Sequence, residues 1–384
     1  MAISMQTAFT TEIDDVDDAL EELFSQISFD ALQQNSLAVV NCYYDFFETG
    51  IYSALVEKLP FDVVGCTSMA SATQNDLGQY RLNLTILTSD DVSFATAVTK
   101  PLVDEHYAKT IAAGFDEARA ALGKEPTMLL TFFPMSFTLS ASDMLSALDT
   151  ACKEAPVFGS LPSGINMNYD GCRTFLNDDV HTDALVLALF SGNFEPRFTV
   201  THIPDRNIRQ GRFTVTESEG CVLRKVNDTP VLDYLNSLGL YLSAENRTTI
   251  PFILYPSGSH NPVATAVYAI NDDGSLLLGA PAPIGMMMAI GEIDSEGILS
   301  TGQDNLDALL KDDKSRGVLL TPCITRYIML APNQDDEMVA VNASLYDKMP
   351  YALHYAGGEV CPIKGADGRW HNQFHNFSLP VCVF

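Results

Sequence analysis

The run "GGEVCPIKGADGRWHNQFHNF", residues 357–377, gathers a glutamate, a cysteine, two histidines and the only tryptophan of the chain. Cys361, His371 and His375 are residue types that bind transition metals. His371 and His375 stand four apart, as ligands on one helix face do. The run, however, alternates apolar and polar residues like a half-buried strand. On a strand, positions four apart share a face but lie ~13 Å from each other. No fourth ligand has fitting spacing, so no metal is expected; Cys361, His371 and His375 are the set that would bind one.

Nucleophilic catalysis draws on the same region. Cys323, after a buried strand, or Cys361 could serve as nucleophile, with His375 as base and Glu359 as its orienter. Against this, the chain has no Gly-x-Ser-x-Gly elbow, and the loops after Gly65 and Gly159 lead on to strands rather than into a helix. Small buried cysteines are usually inert packing. No Gly-x-x-x-x-Gly-Lys or Gly-x-Gly-x-x-Gly phosphate cradle occurs. No cofactor is expected.

Binding without chemistry remains. In open α/β sheets ligands collect beyond the carboxyl ends of the strands. The stretches "GCTSMAS" and "GSLPSG" lie there, so Cys66, Thr67, Ser68, Ser160 and Ser163 offer neutral donors. Arg326 reads as part of an otherwise apolar strand, a costly position without an anionic partner. It is expected either to hold a ligand carboxylate while Glu359 faces an amine, or to pair with Glu359 directly.

The elements that must position these groups follow from pattern. The chain of 384 residues is 47% hydrophobic and 18% charged, which predicts two to three globular domains. Its 22 basic against 49 acidic residues give a net charge of −27, which disfavours nucleic acid and anionic membranes as partners. The N-terminus lacks a secretory pattern and no run approaches ~20 apolar residues. Eight scattered cysteines suit reduced thiols. These features together predict a cytoplasmic protein.

Residues 1–34 are expected to hold an acidic helix, N-capped by Thr10 or Thr11, with Ile13, Val16, Leu20, Leu23 and Phe24 as its apolar stripe. Its acidic face reads as solvated, the alternative being a non-catalytic adaptor that binds a protein through it. Strands are expected at 36–42, 62–66, 79–88, 127–133, 156–160, 183–191 and 197–201, with helices at 46–59, 104–122 and 140–152. Interleaving of this kind predicts an α/β layered structure. "DVVGCTSMASATQNDLGQYRLNLTIL" and "PVFGSLPSGINMNYDGCRTFLNDDVHTDALVLALF" share an order of parts. Gly65 to Gly78 is matched by Gly159 to Gly171, which predicts an internal duplication. After a turn at "NDTP", the second half is strand-rich between 250 and 300. A polar helix follows at about 302–312, and then "GVLLTPCITRYIML", read as a strand pair or a strand bent at Pro322.

In order and spacing, "DVVGCTS", "APVFGSLPSG", "TDALVLALFSGNF", "NIRQGRFTVTESEGCVLRKVNDTPVLDYLNSLG", "GVLLTPCITRYIML" and "YAGGEVCPI…HNQFHNFSLPVCVF" resemble the FIST family, F-box and intracellular signal transduction proteins, over residues 35–384. The resemblance implies an N-terminal FIST domain at 35–228 and a C-terminal one at 229–384. The fold class expected is α/β: a layered mixed-sheet N-terminal domain with an internal duplication, followed by an α+β C-terminal domain. It further implies sensory modules that bind small ligands, amino acids among them, and that are often fused to signalling outputs. With no kinase, cyclase or chemoreceptor region in this sequence, an output is expected on a separate protein or not at all. No catalytic residues transfer with it. "GAPAPIGMMMAIG" departs from the family pattern, having no acidic residue before its glycine.

Overall fold

The structure, a computed structural model, describes residues 3–153, 155–166, 169–201, 203–255, 262–310, 316–365 and 368–384. Its elements form three repeats of one unit. The first runs β1 (Ser4–Thr10), α1 (Val16–Ser25), β2 (Asn35–Cys42), α2 (Asp45–Glu48), α3 (Ile51–Lys58), β3 (Val63–Thr67), β4 (Ala70–Thr73), β5 (Leu77–Gln79) and β6 (Leu82–Ser89). The second runs β7 (Ser93–Val98), α4 (Tyr107–Leu122), β8 (Met128–Phe132), α5 (Ala141–Cys152), β9 (Val157–Leu161), β10 (Thr174–Leu176), β11 (Asp179–His181) and β12 (Val186–Ser191).

The third unit opens with β13 (Arg197–Val200) and is then interrupted by an insertion. The insertion holds β14 (Phe213–Glu219), β15 (Val222–Val226), β16 (Thr229–Pro230), α6 (Val231–Ser237), β17 (Phe252–Tyr255), β18 (Val263–Thr265), β19 (Val267–Ile270), β20 (Leu276–Leu278) and β21 (Met287–Ile290). The unit resumes with α7 (Ser295–Leu309), β22 (Val318–Leu320), α8 (Ile324–Met329), α9 (Asp336–Leu345), β23 (Tyr351–His354), β24 (Gly358–Lys364), β25 (Trp370–His375) and β26 (Pro380–Val383).

Each unit builds one mixed sheet around a parallel pair, and each sheet is completed by a neighbour. The orders are β1-β6-β2-β3-β10-β11, β7-β12-β8-β9-β24-β25 and β13-β26-β22-β23-β4-β5. The hairpin that follows the second parallel strand therefore never joins its own sheet. Unit one gives β4–β5 to unit three, unit two gives β10–β11 to unit one, and unit three gives β24–β25 to unit two. The exchange closes a ring. The sheets are thus assembled across the 228/229 boundary between the expected domains.

The three sheets enclose one inner core, which includes Val39, Val64, Leu130, Phe158, Phe190, Leu319 and Cys382. Helices cover each outer face. Leu20, Leu23 and Leu55 pack on the first sheet, Phe115 and Leu148 on the second, Leu306 and Met338 on the third. Burying each such side chain is worth about 1.5–3 kcal/mol. The insertion has its own core, including Phe213, Val226, Phe252 and Leu278. Strands buried on both faces explain the near-continuous apolar runs in β2, β8 and β12.

Several local expectations are corrected. Asp15, not Thr10 or Thr11, caps α1, accepting from the N–H groups of Asp17 and Asp18. Thr10 instead ends β1, an unanticipated strand paired with β6. The helix expected over 46–59 is divided into α2 and α3 at Gly50, where φ is +80°. The single strand expected over 79–88 is interrupted at Tyr80, whose φ of +53° ends β5 before β6 begins. The polar helix starts earlier, at an Asp294 cap; the far end of its expected span lies outside the described residues. "GVLLTPCITRYIML" is a short strand followed by a helix, so Arg326 stands on α8 rather than on a strand.

The duplication is a triplication, and the glycines that suggested it align only in part. Gly65 and Gly159 occupy one position, opposite Val40 and Thr131 in their parallel pairs. Leu353 fills that place in the third unit, one residue past the Leu319↔Ala352 pair and opposite Leu320. Gly78 and Gly171 are not equivalent: Gly78 lies in the second strand of its hairpin, whereas Gly171 precedes the first.

Candidate functional site

The residue after each of these three positions faces the inner core, so the repeat brings Cys66, Ser160 and His354 together. Ser160 Oγ and His354 Nε2 are 2.9 Å apart, and Cys66 Sγ lies 3.7 Å from Ser160 Oγ. Asn41 Nδ2 donates to the Cys66 sulfur at 3.6 Å. Burial, the cost of a charge in low dielectric, holds the His354 imidazole down at about 3 and pushes the Cys66 thiol up to about 12. His354 is therefore neutral near pH 7. Sequence reasoning missed it, because "YALHYA" lacks the small-polar signature of the other two strand ends.

The remaining strand-end groups converge one layer on. Ser163 Oγ donates to the Tyr355 carbonyl at 2.7 Å and accepts from Met69 N at 2.9 Å. Ser68 Oγ lies within hydrogen-bond distance of the Ala70 and Tyr355 carbonyls. Thr67 Oγ1 accepts from Arg173 N at 2.9 Å. The donors anticipated at Cys66, Thr67, Ser68, Ser160 and Ser163 are thus close together, but they are buried and bonded to one another and to the chain.

Arg326 and Glu359 are both buried, but they do not form an ion pair. Arg326 makes its ion pair with Glu337: Nε donates to Glu337 Oε1 at 2.9 Å and Nη2 bonds the same oxygen. Nη2 also donates to the Ile298 carbonyl at 2.9 Å, and Tyr355 Oη donates to Glu337 Oε2 at 3.1 Å. The guanidinium is thus bonded within the protein, to Glu337 and to the Ile298 and Phe377 carbonyls. Sequence reasoning missed Glu337 because residues 336–345 received no element and Arg326 was placed on a strand, not on the helix that turns it toward α9.

Glu359, on β24 opposite Ser160, accepts from Ser378 Oγ at 2.8 Å through Oε2, while Oε1 has no hydrogen-bond partner among the described residues. Burial pushes its carboxyl up to about 8, with Ser378, the neighbouring Cys323 thiol and the Arg326 charge opposing the rise. Burial and the neighbouring Glu359 push the Cys323 thiol up, and burial alone does the same to Cys361. A reactive cysteine needs the opposite shift.

His375 bonds the Cys361 carbonyl at 3.2 Å through Nε2, so the ring meets the backbone rather than the thiol. In the β24–β25 pairing Cys361 faces Gln373, and His371 is exposed beside Ile363. Cys361, His371 and His375 do not form a ligand set. No group of three His, Cys, Asp or Glu side chains placed to hold a metal occurs among the described residues.

A partly enclosed space lies elsewhere. A cavity of about 230 Å³ lies between the second unit and the insertion. One wall is residues 135–141 with Asp143 and Leu161; the other is residues 219–222, Tyr268 and 277–279. Its floor is the start of α5. Ser140 caps that helix, accepting from Asp143 N at 3.0 Å and donating to Asp143 Oδ2 at 2.7 Å. The wall is pinned by Tyr268, whose hydroxyl donates to the Gly357 carbonyl and accepts from Asn376 Nδ2, each at 3.0 Å. Ser142 Oγ reaches the Gly279 carbonyl at 3.3 Å. The signal in the sequence was the capping pattern "SASD" next to the hydroxyl-rich "SFTLS"; only folding brings the insertion over it.

A threefold α/β repeat with an inserted sheet closing over an internal cavity is the architecture of a module with room for a small molecule. The chain belongs to the FIST family: the FIST N domain matches residues 36–229 and the FIST C domain residues 232–362. FIST domains are sensory domains of signal transduction. No curated protein matches the chain. Among solved structures it is similar to a cyanuric acid hydrolase from A. caulinodans, with 10% identity and a TM-score of 0.39, covering 100% of this chain and 98% of that one. A second structure, described as "Cyanuric acid hydrolase: evolutionary innovation by structural concatenation", matches with 10% identity and a TM-score of 0.30, covering 76% of this chain and 100% of that one. Likeness at this level carries no argument about activity. Among the described residues no helix is long and apolar enough to cross a membrane.

Proposed function

We propose that this chain senses a small amine-bearing metabolite, amino acids included, in the cavity between its second unit and its insertion. One observation carries the reading: that space is partly enclosed, lined by apolar side chains and hydroxyls, and has Asp143 at its wall with no ion-pair partner among the described residues. Apolar walls with a few convergent polar groups are the usual composition of a small-molecule site. A ligand there touches both the repeat core and the insertion, so its binding energy bears on how tightly the two hold together. Tyr268 extends that contact to Gly357 and Asn376, the residues that flank Glu359 and β25. The signalling output is then read by a separate protein.

A thermal-shift screen against amino acids and small amines tests this. A ligand at about 100 times its dissociation constant adds about 2.7 kcal/mol of stability. The expected result is a stabilising hit that disappears in Leu277→Trp, which fills the cavity. A hit that survives Leu277→Trp, or no hit at all, removes the cavity as the sensing site.

A further inference from the structure

We infer that the cavity favours a cationic amine carrying an apolar body, of the size of a phenylalkylamine, over the amino acid that adds a carboxylate to the same body; this rests on the cavity being the ligand site. Charge is the first argument. Of the described side chains that line the space, only Asp143 and Glu219 are ionisable carboxylates, and none is Lys, Arg or His. Glu219 is a rim group, 85% exposed and 3.8 Å from Arg224. Asp143 is half-buried and lacks a cation. Its Oδ2 accepts from Ser140, while Oδ1 receives no hydrogen bond among the described residues. An ammonium group placed in the cavity supplies both the missing charge and the missing donor.

A ligand carboxylate has no such seat. The anion-favouring position at the start of α5 is already filled by the carboxylate of Asp143 itself, and Asp143 N is taken by Ser140. A second carboxylate would enter beside Asp143 with no cation in reach, in a molecule of net charge −27. Size and polarity set the rest. A dry cavity of about 150 Å³ accepts benzene. The 230 Å³ here therefore holds one ring with a short chain. Met135, Phe137, Leu161, Val222 and Leu278 give that body apolar walls.

Titration calorimetry of the full chain with four probes of one shape decides the matter: phenethylamine, L-phenylalanine, 3-phenylpropionate and 2-phenylethanol. Phenethylamine should bind at least about tenfold more tightly than L-phenylalanine, the scale of one charged hydrogen bond. 3-Phenylpropionate should not bind. Asp143→Asn should weaken phenethylamine about tenfold and leave 2-phenylethanol unchanged, which separates charge recognition from a general loss of structure. Leu277→Trp should abolish binding of every probe. If L-phenylalanine binds as well as phenethylamine, or Asp143→Asn has no effect, while Leu277→Trp still blocks binding, the amine class is overturned and the cavity stands as the site. If binding persists in Leu277→Trp, or no probe binds, both the amine class and the cavity fall.

Discussion

Glu359 carries a desolvation cost that its neighbours only partly offset. One oxygen is bonded to Ser378 and the other has no hydrogen-bond partner among the described residues, and burial pushes the carboxyl from its ordinary 4.5 up to about 8. Between those two values the folded chain keeps a proton that the unfolded chain has lost. Stability therefore falls as pH rises through that window and levels off above it. Glu359→Gln removes the dependence. In urea melts the variant should match the parent near pH 4.5 and exceed it at pH 8.5 by on the order of 2–4 kcal/mol. Equal curves at both pH values would mean that Glu359 is ionised at little cost. Arg326 has the opposite character: its buried charge is paired with Glu337.

At the scale of the element, the informative position is the one shared by Gly65, Gly159 and Leu353. A Cβ at Gly65 would meet the Val40 carbonyl and the Phe175 ring; at Gly159 it would meet the Thr131 carbonyl and hydroxyl. Both glycines are needed because the neighbouring strand's backbone leaves no room. Gly65→Ala and Gly159→Ala should each destabilise by about 1–3 kcal/mol or more, read as a lower urea midpoint with unchanged slope. These two glycines are also why the sequence reveals two copies of the unit. With Leu353 in the third copy and 202–293 interrupting it, the period is lost to inspection. The helix ends were more legible: Ser140 before α5, and Gly123 at φ +68° after α4, both follow from capping chemistry.

At the scale of the whole molecule, the exchanged hairpins make the three units interdependent. A fragment of residues 1–195 has β4–β5 without β23, and β9 without β24–β25. It should show no cooperative thermal transition alone and should regain one when mixed with residues 196–384, as followed by circular dichroism. A fragment that melts cooperatively alone would show that the ring closure adds little. The insertion has its own core, so the cavity lies where two separately packed bodies meet. Such a seam is where a small binding energy has most effect on the arrangement of a protein.

The sequence by itself determined the α/β class, most of the strands and helices of the first two units, the repeat they share and the family, since these rest on local periodicity, capping and the order of motifs. It also brought forward Cys66, Ser160, Ser163 and Glu359, because polar groups at strand ends stand out against apolar runs. Tertiary structure alone decided what they meet. Strand register across units set His354 beside Ser160, and helix formation at α8 turned Arg326 toward Glu337. The packing of an insertion against a distant helix start made a cavity around Asp143. Each of these joins residues far apart in the chain, and pairing at that range is fixed by the closure of the whole ring of sheets, which no local pattern encodes.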